Sequence, residues 1–175
     1  MSEFQETSSL GGYFDLVHRR EGHIVAVETF PNLVTNAGLQ LLADLAFGGV
    51  TLPAQNNWYL GLKRNIGANE EHTLLTKLWP EVTEYAAPTR PAWGPIPVGL
   101  SRYESSTDIG YAFNAETPVA GAFLCQGPVK GSAVGLLYAV GDFGTRRYMY
   151  PGDTLTLRYA TRVRRGLSGE PPFGA

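Results

Sequence analysis

The sequence predicts an all-β chain, an antiparallel β-sandwich of jelly-roll type with one short α-helix, and three observations carry that prediction. The first is the run Thr154-Leu155-Thr156-Leu157-Arg158-Tyr159-Ala160-Thr161-Arg162-Val163-Arg164. Leu155, Leu157, Tyr159, Thr161 and Val163 fall on one side, and the threonines, Ala160 and the arginines between them fall on the other. That period of two marks a strand with one face on a core and one in solvent or against a partner. Such a strand belongs to an antiparallel sheet with a wet face. The second observation is composition: 21 glycines and 12 prolines in 175 residues suit short strands joined by turns. The third is the tally of about eight β-rich runs with no βαβ rhythm and no repeat, for which a barrel is the second choice.

Taken in order, residues 1–12 read as a flexible, polar N-terminal arm that holds Phe4 and Leu10 and ends in Gly11-Gly12. The sandwich domain is expected over 13–165. Residues 13–19 and 23–30 form a hairpin about Arg20-Glu21-Gly22, and Pro31 ends its second strand for want of an N–H. Thr35 or Asn36 caps a helix of about three turns, with Leu39, Leu42, Leu45 and Ala46 on one face and Gly48-Gly49 as a left-handed stop. The helix is expected to plug one end of the sheets. Residues 58–63 are a strand. Over 65–107 regularity is lost among Pro80, Pro88, Pro91, Pro95 and Pro97, which suggests a long functional loop. Strands resume over 110–114, 119–125 and 133–140. Gly141-Asp142-Phe143-Gly144 reads as a turn toward 146–150, and the long final strand follows. Residues 166–175 are a Gly/Pro-rich, extended tail that contains Phe173.

A hydrophobic share of 43% excludes wholesale disorder. The net charge of −2 offers no global attraction to nucleic acid or an anionic membrane, so neither is expected as a partner. No apolar stretch approaches the ~20 residues of a membrane span. The acidic start Met1-Ser2-Glu3-Phe4-Gln5-Glu6 lacks a signal-like apolar region, so secretion by that route is not expected. Cys125 is the sole cysteine, in keeping with a reducing compartment.

Candidate chemistry is sparse. His18 and His23 flank the hairpin turn and, with Asp15 or Glu21, could face a metal; without a fixed ligand spacing they read as ordinary strand histidines. His72 lies in a polar loop. Cys125 ends an apolar strand with no neighbouring group to lower its pKa, and reads as a small buried hydrophobe. Glu81 and Glu84 read as solvated loop charge. The expectation is a non-enzymatic chain with no catalytic residue, metal ligand or cofactor. Two surfaces remain as interface candidates. Arg146, Arg147, Arg158, Arg162, Arg164 and Arg165 crowd a stretch whose sole acid is Asp153, and arginine suits bidentate pairing at protein interfaces. Trp79, Tyr85 and Trp93 punctuate the Pro-rich loop, where they either anchor a partner or cover the open end of a sandwich.

Several pieces, in this order, form a pattern: Asn32-Leu33-Val34-Thr35-Asn36-Ala37-Gly38-Leu39, then Tyr59-Leu60-Gly61-Leu62, then Thr73-Leu74-Leu75 with Glu81-Val82-Thr83-Glu84-Tyr85-Ala86, then Trp93, then Gly152-Asp153-Thr154-Leu155-Thr156-Leu157. The pattern runs from about residue 24 to 164 and resembles small structural proteins of tailed bacteriophages. The resemblance implies a virion protein assembled in the bacterial cytoplasm: a capsid decoration (cement) protein, or alternatively a tail-tip or fibre component contacting a host receptor. It also implies a jelly-roll-like subunit, often a trimer, that docks on major capsid protein subunits. The arginine-bearing last strand, the Pro-rich tail and the N-terminal arm depart from the pattern. With Phe4 and Phe173, they are the candidate docking elements.

Overall fold

The computed structural model describes residues 7–48 and 57–166. It is a mostly β chain of antiparallel sheets with one short helix. In chain order the elements are β1 (Thr7–Arg20), β2 (His23–Pro31), β3 (Leu33–Val34), α1 (Asn36–Phe47), β4 (Trp58–Lys63), β5 (Pro95–Gly99), β6 (Arg102–Ser105), β7 (Ile109–Ala112), β8 (Thr117–Gln126), β9 (Leu137–Met149) and β10 (Thr154–Gly166).

The alternating run becomes β10, with Leu155, Leu157 and Tyr159 fully buried and Thr154 and Arg158 exposed. β1 lies antiparallel along its whole length, from Arg19 opposite Thr154 to Thr7 opposite Gly166. β2 returns on the far side of β1 through the turn Glu21-Gly22, whose φ values of 51° and 80° match the right-handed twist of the strands. On its other side β10 meets β7 at Thr154–Leu157 and β6 at residues 160–162, and β5 closes that edge. A second sheet has the order β3-β9-β8-β4. The two sheets share one core: Phe14, Leu16, Leu155, Leu157 and Tyr159 from the first pack with Leu60, Leu62, Val119, Ala122 and Leu124 from the second. Each fully buried aliphatic or aromatic side chain stabilises the fold by about 1.5–3 kcal/mol. Phe14 stacks on Phe30 with ring centroids 5.1 Å apart and leans on Tyr159 at 4.7 Å.

Several expectations are corrected. Residues 7–12 are not part of an arm, because β1 begins at Thr7; Phe4 and Phe173 lie outside the described residues. Gly12 is there for close approach, since a Cβ at that position would overlap the Ala160 carbonyl oxygen. The helix forms with Thr35 as cap, its Oγ1 accepting the Gly38 N–H at 3.1 Å. Of the Gly48-Gly49 stop, Gly48 has φ −93° and its N–H bonds the Asp44 carbonyl oxygen at 2.8 Å, while Gly49 lies outside the described residues. α1 docks by only part of its leucine stripe: Leu42 packs partly buried against the core, while Leu39 is 46% exposed. Gly38 is its one buried residue, pressed against the Tyr138 backbone.

Gly141-Asp142-Phe143-Gly144 is not a turn. β9 runs straight through it, Phe143 packs edge-on against Phe30 at 4.8 Å, and Gly141 leaves room for the Pro31 carbonyl. The strand expected over 133–140 starts only at Leu137. The irregular span 65–107 also hides the β5–β6 hairpin, with Pro95 and Pro97 on a sheet edge where a missing N–H is tolerated.

Candidate functional site

The clustered arginines separate in space. Arg147 projects from β9 to Glu28 of β2 at 2.5 Å, and Glu28 also accepts the Gly144 N–H, so this arginine ties one sheet to the other. Arg146 is exposed and reaches Asn65 at 3.3 Å. Arg158 pairs with Asp108 on the outer face of the first sheet, and Arg162 is exposed two pairs further along that face. Nearby, Arg102 pairs with Glu104 and donates to the Tyr13 hydroxyl at 2.6 Å. Arg164 and Arg165 continue β10 opposite Ser9 and Ser8. Exposed ion pairs of this kind contribute about 0–1 kcal/mol each, so the outer face remains available to a partner. The shallow cleft there, bounded by Tyr13, Asp15, Glu104 and Arg158, measures about 50 Å³, far below the roughly 300–1,000 Å³ of small-molecule sites.

The aromatic loop resolves the other way. Trp79, Tyr85 and Trp93 are 2%, 1% and 5% exposed, so of the two readings open in the sequence they cover the sandwich and do not present anchors. Trp79 lies on the outer face of the second sheet against Phe123, with centroids 5.0 Å apart. Tyr85 meets Tyr111 edge-on at 5.0 Å, and Trp93 meets Tyr159 at 5.1 Å. The loop is strapped to β4 by backbone bonds. Val82 donates to Leu62, Leu60 to Pro91 and Trp93 to Trp58, at 2.8, 3.0 and 2.7 Å.

Glu81 is not solvated, and Glu84 is only partly so. Arg90 grips Glu81 with two bonds of 2.8 and 2.7 Å and donates to the carbonyls of Gly127 and Ser132, while Glu81 accepts the Gly131 N–H. Both side chains are almost fully buried. Glu84 pairs with Arg64. Cys125 lies 3.4 Å from Arg90, yet burial pushes its thiol up to about 12, which leaves it an inert hydrophobe. The two histidines do not face each other: His18 is opposite Ala26 and His23 opposite Arg20. Among the described residues, no three His, Cys, Asp or Glu side chains stand close enough to hold a metal.

Sequence reasoning missed two polar cross-links. Lys63, fully buried, pairs with Asp142, which also accepts the N–H groups of Gly67 and Ala68 at 3.0 and 2.9 Å. Asp153, at the entrance to β10, takes two Arg20 bonds of 2.9 and 2.8 Å, the Tyr150 N–H at 3.0 Å and His18 at 3.2 Å. Only the turn signal Pro151-Gly152-Asp153 pointed to it. Beside it, Arg20, Glu21, Tyr150 and Pro151 bound an open cleft of about 410 Å³.

The Asp153 network makes stability pH-dependent in two steps. Arg20, helped by the Tyr150 N–H and His18 against the cost of burial, holds the Asp153 carboxyl at about 2. Its contribution is therefore complete above its unfolded value near 3.8 and is lost as pH falls through about 2. Burial holds the His18 imidazole below its ordinary 6.5, against the pull of Asp153. Below pH 6.5 the unfolded chain thus takes up a proton that the folded chain resists, and stability falls there as well. Urea midpoints measured from pH 8 to 2 are expected to decline below 6.5 and again below about 4. His18→Gln should remove the upper decline, and Asp153→Asn should shrink the lower one.

Comparison with protein-family models gives no match, and comparison with curated proteins gives none either.

Proposed function

We propose that this chain is a structural virion protein, a decoration or cement protein that binds the outside of a phage capsid and stabilises the shell. The ordered sequence pieces between about residues 24 and 164 support the reading. So does the wrapping of the strands: the first pairs with the last and β3 with β9, a nesting of the jelly-roll kind, although β8 and β9 form a hairpin within one sheet.

One observation carries the mechanism. Thr7 is opposite Gly166, so the chain enters and leaves the described fold side by side at the end of a paired β1–β10 ribbon. The segments bearing Phe4 and Phe173 therefore start from one corner, next to Arg162, Arg164 and Arg165. A seam between major capsid protein subunits is a fitting partner for such a footprint. Each copy adds its own buried area, and repeated contacts around a shell raise avidity without new chemistry. The tail-tip alternative relied on an aromatic docking loop, and the burial of Trp79, Tyr85 and Trp93 leaves it second.

The test is uptake by purified shells that lack the protein. At micromolar concentration the chain should bind assembled shells to a fixed stoichiometry and ignore free coat subunits. Arg162→Glu with Arg164→Glu should weaken uptake by about tenfold or more, with the greatest loss at low salt. Shells that take up none at that concentration would end the proposal.

A further inference from the structure

Among the described strands, several sheet edges are protected. β5 carries Pro95 and Pro97, which remove N–H donors. β3 is two residues long and runs directly into the capped helix. β4 is strapped by the 80–93 loop, and the free side of β7 receives the Ala86 N–H on the Ala112 carbonyl. β2 is open. Its nine residues pair only with β1, and residues 23–30 make no backbone bond to any other described element.

This edge lacks the usual protective features as well. Ile24, Val25 and Val27 are 58%, 51% and 67% exposed, and the strand contains no lysine and no proline before its last residue. An unpaired row of backbone donors and acceptors accepts one kind of occupant, another extended strand.

We infer that β2 is a self-association edge, joining a second copy of this chain in antiparallel fashion about a two-fold axis at Val27. Val27 is the midpoint of His23–Pro31, so that register uses the whole strand. It sets Ala26 opposite the partner's Glu28, Val25 opposite the partner's Thr29 and Ile24 opposite the partner's Phe30. Charge agrees with it. The strand's one acid is off-centre, never faces itself, and is already neutralised by Arg147 and the Gly144 N–H. On the outer face Val17 is opposite Val27, so the pairing lines up four valines in one row across both copies. The six-stranded sheet of each protomer becomes half of one continuous sheet. A nine-residue edge buries little area, so the dimer should be weak, on the order of micromolar. This pairing stands independently of the capsid reading, and its two-fold symmetry differs from the trimer that the phage resemblance implies.

Sedimentation of the full chain over about 1–200 µM should show reversible growth from 19.0 kDa to twice that mass. Val27→Lys, at an exposed position, should leave the urea midpoint unchanged and hold the chain monomeric throughout. Val27→Cys should oxidise to a disulfide-linked dimer, because directly opposed Cβ atoms lie about 4.5–5.5 Å apart. The native Cys125 is buried and does not compete. Val98→Cys, on the proline-blocked edge, should stay monomeric under the same oxidation. A wild-type chain that stays monomeric, a trimer indifferent to Val27→Lys, or equal cross-linking of the two cysteine variants would each overturn the inference.

Discussion

Arg90→Ala is expected to lower the unfolding free energy by about 3–5 kcal/mol, enough to remove a third or more of a typical domain's stability. Arg90 and Glu81 are almost fully buried and joined by two bonds, and the guanidinium also satisfies the carbonyls of Gly127 and Ser132. Burial disfavours the charge on Arg90, and the Glu81 bond more than compensates, so the guanidinium stays firmly protonated. Alanine leaves the Glu81 carboxylate in the interior with only the Gly131 N–H. The loss should therefore reflect an orphaned charge more than a missing attraction. Arg90→Lys should recover little, since an ammonium cannot serve two carboxylate oxygens and two carbonyls in a planar fork. Replacing both partners with apolar residues of similar size, Arg90→Met with Glu81→Leu, should recover most of it. Urea titration at pH 7 reads all three. A single-variant loss under about 1 kcal/mol would place the pair in solvent, contrary to its geometry.

What could be read in the sequence was what depends on near neighbours. The inward face of β10 as far as Tyr159, the β1–β2 hairpin, the α1 start at Thr35 and the burial of Cys125 all follow from local spacing and turn chemistry, although Val163, expected on the same face, is exposed. Partners brought together by folding could not be read. His18 and Asp153 are 135 residues apart in the chain, and Arg147 meets Glu28 across 119. Arginines counted as one cluster were divided by strand alternation and by acids supplied from elsewhere. Glycine was ambiguous for a different reason. In Gly22 it marks a positive φ, whereas Gly12 and Gly141 make room for another strand's carbonyl, and a sequence does not separate the two uses. The proline-rich span carried a similar ambiguity. Prolines forbade regular elements there, but they did not forbid a well-packed cover, and the aromatics between them supplied one.

Trp93→Ala tests that cover directly, with an expected cost of about 3–5 kcal/mol. Trp93 is buried, meets Tyr159 edge-on, and its own N–H fastens the loop to the Trp58 carbonyl at the rim of the second sheet. Truncation opens a cavity between the loop and β10, the strand that organises the first sheet. The indole Nε1 has no hydrogen-bond partner within the described protein. Phenylalanine therefore keeps most of the apolar contact while removing a polar group, and Trp93→Phe should cost far less than alanine. Measured beside shell uptake, the pair of variants separates packing from docking. If Trp93 is cover, Trp93→Ala lowers the urea midpoint, while uptake per folded molecule stays at the wild-type level. If it is an anchor, the midpoint barely moves and uptake collapses. Burial of the ring favours the first outcome, because a side chain already enclosed by its own protein has little surface left to give a partner.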